Sequence, residues 1–203
     1  RPTGKVFGNR DPKTAEFDDG LFFNGGMRDF YMQAGETLPG RINFNEAPFK
    51  AEGGEYLTDV FTDRAVEFIA RHAASARPFM LYLAHLAPHS PLHGKPADMR
   101  KLFPETFGDM SDAEIRGTAG WPEGRGGKYD AHHYAAMVYA LDRSVARIME
   151  VLKKGGVADN SMVLLTSDNG AIRGSNYPYT GHKWDMFEGG IRLPMILCSR
   201  GIA

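Results

Sequence analysis

A long amphipathic helix followed closely by an apolar strand is the sequence feature that most restricts the fold of this chain. Residues 129–154 place apolar side chains at alternating spacings of four and three, the repeat of an α-helix with one buried face. These side chains are Tyr134, Val138, Leu141, Val145, Ile148 and Leu152. Gly155 and Gly156 end the helical pattern, and the apolar run SMVLLTS follows after a short connection. This order predicts an α/β protein in which helices cover a sheet.

The same order of elements occurs earlier in the chain. An apolar helical face is formed by Val60, Phe61, Ala65, Phe68 and Ile69. Thr58 is the expected N-cap of this helix. Pro78 ends the helical pattern, and the run FMLYLA at residues 79–84 has the continuous apolar character of a strand covered on both faces. With a further strand predicted in IRLPMILCS, residues 191–199, we expect a three-layer α/β/α sandwich around a mostly parallel mixed sheet.

The remaining segments are expected to be less regular. Residues 1–54 are rich in Gly, Asn, Asp and aromatic side chains, which predicts a cleft-forming region of loops and short strands, with FDDGLFFNGGM irregular. Residues 86–128 are rich in Pro and Gly and predict a long surface loop, a type of segment that is often functional. Within it, the capping-box spacing from Ser111 to Glu114 indicates one short helix. We predict that the chain is the central part of one domain, with its α/β core in residues 55–203.

Composition narrows the class of protein. The chain has 203 residues, of which 42% are hydrophobic and 24% charged, as in an ordinary soluble protein. The formal net charge of -1 supplies no basic field, so no nucleic-acid partner is expected. No apolar run approaches the ~20 residues that span a bilayer. The single cysteine, Cys198, allows no intrachain disulfide and no cysteine-rich zinc site.

An acid and an amide follow the apolar strand SMVLLTS. In open α/β sheets, ligands bind beyond the carboxyl ends of the strands, which is where Asp168 and Asn169 are expected. A carboxylate and an amide carbonyl are hard oxygen ligands, suited to Ca²⁺ or Mg²⁺. Asp-Asn-Gly is also a common turn sequence, and on these residues alone a turn is the more frequent interpretation.

Elsewhere in the chain, one histidine follows a predicted strand and one lysine precedes another. His89 lies in LAPHSPLHG, residues 86–94, where the prolines restrict the backbone and can fix the direction of the imidazole. Such a histidine can bind an anionic oxygen or protonate a leaving group. Lys183 lies in a glycine-flanked loop and can place positive charge on a tetrahedral oxyanion. The alternatives are a surface histidine and a solvated lysine, and His85 is expected only to cap or pack.

The segments APHSP, TSDNG and GHK followed by EGGIRLP occur in this order, and together they resemble the type I sulfatases of the alkaline-phosphatase-like superfamily. The predicted helices are also similar to helices of that family, and the similarity covers residues 44–200. The resemblance implies that Asp168 and Asn169 bind Ca²⁺, with Mg²⁺ as the alternative cation. It implies that His89 and Lys183 contact the sulfate group of the substrate.

The beginning of the chain matches the family less fully. Lys5 in TGKVF matches the family lysine that bridges the nucleophile and the sulfate, but Phe7 and Gly8 stand where the family usually has a histidine, and FGNRD offers a competing register. The family nucleophile is a formylglycine made from Cys or Ser in a C/S-x-P/A-x-R segment, which we expect on sequence that precedes Arg1, together with two metal-binding aspartates. Cys198 is not a substitute, because its proline spacing differs and it follows EGGIRLP.

The resemblance implies hydrolysis of sulfate monoesters, with a sulfated small molecule or glycan as the substrate. We expect these residues to act only together with the missing N-terminal segment of the same domain. The alternatives are a phosphate or phosphonate monoester hydrolase of the same superfamily, a non-catalytic binder of sulfated glycans, and an α/β domain in which Asp-Asn-Gly only turns the chain. Family habit suggests a periplasmic, secreted or lysosome-like location. The side chains that flank Lys183, as pocket wall or as loop surface, are Arg173, Tyr177, Tyr179, His182 and Trp184.

Overall fold

The computed structural model describes residues 3–8, 19–23, 30–32, 42–44, 47–48, 51–75, 77–119, 127–172 and 174–200. The chain divides into two units, Arg1–Gly155 and Gly156–Ala203, and each is described by itself. Among the helices in the described ranges, none is both long enough and apolar enough to cross a membrane.

The first unit contains a mixed five-stranded sheet in the order β4-β3-β2-β1-β5. Its strands are β1 Thr3–Gly8, β2 Asp19–Phe23, β3 Ile42–Phe44, β4 Ala47–Pro48 and β5 Phe79–Leu83. β1 is parallel to both β2 and β5, whereas β3 is antiparallel to both β2 and β4. The short strands predicted in residues 1–54 are present. The segment FDDGLFFNGGM was expected to be irregular, but its residues Asp19–Phe23 form β2, because pairing with β1 stabilises a strand that has little periodicity of its own.

Helix α1, Leu57–Ala73, buries the apolar face predicted from its sequence. The prediction that Thr58 caps it is wrong. The N-cap position is Tyr56, and no side chain caps the helix. The backbone N–H of Leu57 instead donates to the carbonyl of Phe30 at 2.8 Å, next to a bridge between Tyr31 and Tyr56. A neighbouring chain segment therefore supplies the acceptor that a capping side chain would otherwise provide.

Helix α5, Asp130–Lys154, confirms the predicted long helix, but its buried face is rotated from the predicted one. Val138 is 41% exposed, whereas Ser144 is buried. Thr62 Oγ1 on α1 lies within hydrogen-bond distance of Ser144 Oγ, at 2.8 Å, so the interface between the two helices accommodates a polar side chain. Farther toward the C-terminus of each helix, a Cβ atom added at Gly155 would lie 2.6 Å from Ala73 Cβ. Because both contacts follow the same order along the two helices, α1 and α5 are parallel.

Strand β5 is covered on one face by α1. Phe79 packs edge-on against Phe68 with ring centroids 5.7 Å apart. On the opposite face Met80 and Tyr82 are 54% and 55% exposed. The prediction of a strand covered on both faces is therefore not met within the described residues of this unit, because a continuous apolar run does not by itself distinguish one covered face from two.

The segment predicted as a long loop, residues 86–128, contains three helices in its described parts, residues 86–119 and 127–128. They are α2 Pro96–Leu102, α3 Pro104–Phe107 and α4 Asp112–Gly117. The predicted capping box is confirmed: Ser111 Oγ accepts from the Glu114 N–H at 3.3 Å, and the Ser111 N–H donates to Glu114 Oε2 at 2.7 Å. Helices α2 and α3 each begin with proline, a start signal that would have predicted them. A fully buried cluster joins the segment to α5 and consists of Met99, Phe107, Ile115 and Ala136.

The second unit contains a two-stranded antiparallel sheet. β6 is Val163–Thr166 and β7 is Met195–Cys198, with Val163 opposite Cys198. Both strands were predicted, and Cys198 is a strand residue as expected. A single 3₁₀ turn, Ala158–Asn160, precedes β6, and a short helix, α6, Glu188–Ile191, precedes β7. The chain between β6 and α6 carries three of the predicted site residues.

Candidate functional site

The five predicted site residues lie in different units. Lys5 and His89 belong to the first unit, and Asp168, Asn169 and Lys183 belong to the second. Lys5 is a residue of β1, where its backbone is in register with Leu81 of β5. The side chain of Lys5 lies outside the described part of the structure, so its predicted contact with sulfate stays a prediction.

His89 is an exposed residue beyond the end of β5. Its backbone N–H donates to the Leu86 carbonyl at 2.9 Å, which closes a turn. Its Nδ1 lies 2.7 Å from the Ser90 carbonyl oxygen. Because a carbonyl can only accept, the ring N–H is on Nδ1, and the neutral ring keeps a lone pair on Nε2. Nε2 is therefore the atom that could pick up a proton and deliver it to a leaving group.

The segment that carries His89 is held in place by hydrogen bonds farther along the chain. The hydroxyl of Tyr56 donates to the His93 carbonyl at 2.9 Å. The N–H of Gly94 donates to His133 Nδ1, also at 2.9 Å. One bond comes from the residue before α1 and the other from α5, so both helices fix the end of this segment.

His133 is completely buried, and its neighbours set its tautomer. Because Nδ1 accepts a hydrogen bond, the ring N–H is on Nε2, which donates to Thr118 Oγ1 at 2.9 Å. The pKa of His133 is lowered from 6.5 to about 4, first by burial and then by His93 and His132, against the opposing effect of the Asp130 carboxylate. The neutral ring is therefore the form that holds the Gly94 amide.

We expect the first unit to lose stability as the pH falls from 6.5 to 4. The unfolded chain protonates His133 near pH 6.5 and the folded chain only near pH 4, so the stabilisation is complete above pH 6.5 and is lost on acidification. The loss approaches about 3 kcal/mol. Urea unfolding across this range should show a shallower pH dependence for His133→Asn, which keeps an oxygen acceptor but does not titrate.

Thr118→Val is the matched control for this experiment. It removes the partner of Nε2 without removing the titrating ring, so it should lower stability at neutral pH and keep the pH dependence. Burial lowers the pKa of His85 to about 4 as well, so some pH dependence should remain in His133→Asn. Identical pH dependences for His133→Asn and the parent chain would contradict the assignment.

A polar pocket of about 300 Å³ lies in the first unit along α1 and α5. It is lined by Asp59, Thr62, Asp63, Lys95, Arg143, Ser144 and Arg147. Each of its basic side chains forms an ion pair: Lys95 with Asp59, Arg143 with Asp98, and Arg147 with Asp63. Asp98 belongs to α2 and is buried, so these pairs join three helices. The pocket is better explained as a structural ion-pair network than as an anion site.

In the second unit, Asp168 and Asn169 follow β6 as predicted. Asp168 is exposed and Asn169 is half-buried. The hydroxyl of Ser167 donates to the Asn169 backbone carbonyl at 3.0 Å, so a turn is present. Within the described residues of this unit, however, neither the Asp168 carboxylate nor the Asn169 side-chain amide forms a hydrogen bond or an ion pair. Their oxygens therefore fit a hard cation such as Ca²⁺. The described residues contain no group of three or more His, Cys, Asp or Glu that could hold a metal, so the pair could supply only part of a ligand set.

Three buried glycines connect the acid–amide turn to the segment after Lys183. The N–H of Gly170 donates to the Gly190 carbonyl at 2.9 Å. A Cβ atom at Gly170 would lie 1.9 Å from the Gly189 carbonyl oxygen, and one at Gly190 would lie 2.1 Å from the Asp185 carbonyl oxygen. Only glycine permits this approach of backbones. We call these three residues, Gly170, Gly189 and Gly190, the glycine frame.

Asn176 adds a second connection that the sequence reasoning missed. Its Oδ1 accepts from the Ala171 N–H at 3.0 Å, and its Nδ2 donates to the carbonyls of Ala171 and Gly181 at 2.8 and 3.1 Å. One side chain thus ties the chain after the acid–amide turn to the loop that carries Lys183. The signal that could have found it is an asparagine in a loop rich in Gly, Ser and Pro, where its amide bonds local backbone groups.

Replacing Gly190 with alanine is expected to destabilise the second unit by about 3 kcal/mol, because the new methyl group would overlap the Asp185 carbonyl oxygen. Hydrogen exchange of the Gly170 amide, which is bonded to the Gly190 carbonyl, should become faster. Gly117→Ala is the matched control, since an added Cβ atom there meets nothing within 4 Å. Unchanged exchange at Gly170 would show that the frame does not hold the two segments together.

Lys183 is a half-buried residue in the turn between the glycine frame and the loop held by Asn176. Its Nζ lies 6.0 Å from the centroid of the Trp184 ring. Among the described residues of the second unit, no carboxylate forms an ion pair with it. Its ammonium group is therefore available for an anion. Glu188 to Gly190, predicted to be a structural turn, are structural but form the start of α6.

Comparison with known proteins gives a consistent picture. The family model described as Sulfatase matches residues 3–203. The uncharacterised sulfatase YdeN of Escherichia coli is 35% identical over 150 residues, which are 72% of this chain and 23% of that protein. Human N-acetylgalactosamine-6-sulfatase is 32% identical over 161 residues, covering 75% of this chain and 26% of that protein. The chain thus spans about a quarter of the length of the curated relatives it matches.

Solved structures agree with the predicted fold class. The structure of Ps i-CgsB in complex with k-i-k-neocarrahexaose superposes with a TM-score of 0.72 at 27% identity, covering 97% of this chain and 44% of that chain. The putative sulfatase yidJ from Bacteroides fragilis superposes with a TM-score of 0.65 at 19% identity, covering 98% of this chain and 47% of that chain. These similarities confirm an α/β fold of the alkaline-phosphatase-like type, of which this chain is a part.

Proposed function

Because the chain belongs to the sulfatase family, we propose that it forms part of an enzyme that hydrolyses sulfate monoesters. One observation carries the proposal beyond family membership. In the second unit, the side-chain oxygens of Asp168 and Asn169, which have no partner among its described residues, and the ammonium group of Lys183 belong to loops that are joined by the glycine frame. Oxygen donors for a cation and a lysine ammonium group on connected loops are the groups needed to bind a small tetrahedral oxyanion.

We propose that Asp168 and Asn169 contribute to a Ca²⁺ site, with Mg²⁺ as the alternative cation. The exposed position of Asp168 and its lack of a partner among the described residues of the second unit support this role. A bound divalent cation would supply positive charge that stabilises the sulfate oxygens as charge develops on them. The remaining ligands would come from sequence outside these 203 residues.

Lys183 is proposed to bind a sulfate oxygen as a point charge, and Lys5 is proposed to do so at the nucleophile. His89 is proposed to protonate the leaving alkoxide from Nε2, since its Nδ1–H is bonded to the Ser90 carbonyl. The role of His89 requires the protonated ring before bond cleavage and leaves a neutral ring afterwards. A formylglycine would supply the attacking oxygen from sequence outside this chain.

A sulfated carbohydrate is the proposed substrate. One relative is named N-acetylgalactosamine-6-sulfatase, and the Ps i-CgsB structure contains k-i-k-neocarrahexaose. Another relative, arylsulfatase J of the mouse, is 29% identical over 175 residues, so an aryl sulfate is the second candidate class.

Hydrolysis should be measured for the complete protein that carries this chain, with N-acetylgalactosamine 6-sulfate, an aryl sulfate and the corresponding phosphate esters, before and after treatment with a chelator. We expect release of sulfate that stops after chelation and returns with Ca²⁺. Faster hydrolysis of the phosphate esters would instead indicate a phosphomonoester hydrolase. Binding of the sulfated sugar without hydrolysis would indicate a glycan-binding protein.

The 203 residues alone are proposed to be inactive, because they lack a C/S-x-P/A-x-R segment for the nucleophile. The same assay on the purified 203-residue polypeptide tests this directly. Turnover of any sulfate ester by that polypeptide would refute the proposal.

A further inference from the structure

The residue after Lys183 occupies a backbone conformation that its side chain disfavours. The Asp185 N–H donates to the His182 carbonyl at 2.9 Å, which closes a reverse turn with Lys183 and Trp184 at its centre. Trp184 has φ = 80°, and within the described residues it is the one non-glycine residue with a positive φ. A φ near this value at the third position of a turn is the type II geometry, which normally has glycine or asparagine there. A tryptophan at this position is therefore strained.

The surrounding hydrogen bonds impose this strained turn. The Asp185 carboxylate accepts from the His182 N–H at 2.9 Å. The His182 Nδ1 lies 2.8 Å from the Lys183 carbonyl, so the ring N–H is on that nitrogen and donates to it. The Gly189 N–H donates to the Thr180 carbonyl at 2.8 Å, which ties the turn to the glycine frame. Strain persists in a fold only where the surrounding structure determines the conformation in this way.

The strain is not compensated by burial of the side chain. Trp184 is 81% exposed, so its indole contributes little to the packing of the protein. The large apolar ring is instead held at the surface beside the ammonium group of Lys183, 6.0 Å from the ring centroid. A residue that costs stability in its conformation and gains little from packing is a candidate for binding.

We propose that Trp184 is a specificity-determining residue whose indole packs against the ring of the sugar that bears the sulfate group. This inference rests on the proposed function, in which Lys183 binds the sulfate. A sulfated sugar has an anionic group next to an apolar ring face, and the Lys183–Trp184 pair presents a cation next to an aromatic plane. The pair matches a ring-bearing sulfate ester and gives inorganic sulfate only the lysine.

The turn geometry offers a variant that separates binding from stability. Trp184→Gly removes the indole and also relaxes the turn, because glycine adopts a positive φ without steric cost. The gain offsets the greater freedom of glycine in the unfolded chain, so the Tm should be unchanged or higher. In the complete protein, this variant should raise KM for N-acetylgalactosamine 6-sulfate by about 10-fold, while inhibition by inorganic sulfate stays the same.

Two further variants complete the test. Trp184→Ala also lacks the ring but keeps the strain, so it should lose the same affinity and have a lower Tm than Trp184→Gly. Trp184→Phe should recover most of the affinity because it keeps an aromatic plane. An unchanged KM in Trp184→Gly would overturn the inference. A lower Tm together with weaker inhibition by inorganic sulfate in Trp184→Gly would also overturn it, because the tryptophan would then act only by supporting the turn.

A binding measurement distinguishes failure of this inference from failure of the proposed hydrolysis. In the complete protein, the fluorescence of Trp184 is the part of the signal that the Trp184→Phe variant lacks. N-acetylgalactosamine 6-sulfate should change this part of the signal and inorganic sulfate should not. A fluorescence change without turnover would reject hydrolysis and retain the role of Trp184. If the protein hydrolyses the ester but shows no fluorescence change and an unchanged KM in Trp184→Gly, the role of Trp184 is rejected and hydrolysis is retained. If neither turnover nor a fluorescence change is observed, both proposals are rejected.

Discussion

Replacement of Asp168 with asparagine is expected to lower kcat/KM for sulfate-ester hydrolysis by about 10³-fold, because a Lewis-acid cation contributes several kcal/mol to stabilising charge in a transition state. Asparagine keeps the size of the side chain and one oxygen donor but removes the negative charge that attracts the cation. The exposed carboxylate has no partner within the described residues of its unit, so little stability should be lost. Activity and its dependence on Ca²⁺ concentration, measured in the complete protein, test this.

Asp159→Asn is the matched control for Asp168→Asn. Asp159 is an exposed carboxylate of the same unit, but it is bonded to Arg200 at 2.8 Å, so its loss removes the same charge without removing a proposed ligand. We expect this control to keep its activity and its response to Ca²⁺. If Asp168→Asn retained more than a tenth of the parent activity and needed no more Ca²⁺ than the parent, Asp168 would not be a metal ligand.

Replacement of Lys183 with alanine is expected to lower kcat by about 10²-fold or more, the effect of removing one group that stabilises an oxyanion. The ammonium group forms no ion pair within the described residues of its unit, so its charge is not already neutralised by a neighbouring carboxylate. Lys183→Arg should restore only part of the rate, since a planar guanidinium cannot occupy the position of a compact point charge. Steady-state kinetics on one sulfate ester would measure kcat and KM for each variant.

Arg192→Ala serves as the control for loss of positive charge near this loop. Arg192 is paired with Glu188 at 3.3 Å and lies over the Tyr179 ring, so it has partners within the protein. Its replacement should change kcat by much less than that of Lys183. A rate loss below fivefold in Lys183→Ala, or an equal loss in Arg192→Ala, would remove Lys183 from the proposed mechanism.

The two units supply different kinds of support for the candidate residues. In the first unit, His89 is itself exposed, and hydrogen bonds with Tyr56 and His133 hold the segment that follows it. In the second unit, close contacts between backbone segments hold the loops of Asp168 and Lys183 in place, and only glycine permits these contacts. Around His89, the supporting contacts come from side chains instead. Substitution of His133 is therefore expected to change how the stability of the first unit depends on pH. Substitution of a glycine of the frame is expected to lower the stability of the second unit by steric overlap.

Elements that depend on local interactions could be predicted from the amino-acid sequence. Helix α5 follows from its apolar repeat and its terminal glycines, and helix α4 follows from the capping box at Ser111. The acid–amide pair after β6 and the lysine before β7 were recognised for the same reason: each is a short pattern next to a strong strand signal. The family assignment also required only the order of these patterns along the chain.

Features that depend on partners distant in sequence could not be predicted in this way. Ser144 rather than Val138 is buried on α5 because Thr62 of α1 offers it a hydrogen bond. Thr58 does not cap α1 because the Phe30 carbonyl accepts the Leu57 N–H. Segments that pair with distant backbone cannot be identified from local periodicity, since the stabilising free energy comes from the partner.

The strained turn at Trp184 shows the same limit at the candidate site. Its two central residues, Lys183 and Trp184, do not favour a positive φ, so local propensity predicts a different backbone there. The hydrogen bonds of Asp185 and the glycine frame impose the conformation that is observed. Sequence patterns thus predicted which residues belong to the candidate site, whereas contacts within residues 170–190 set the conformation in which the second unit presents Lys183 and Trp184.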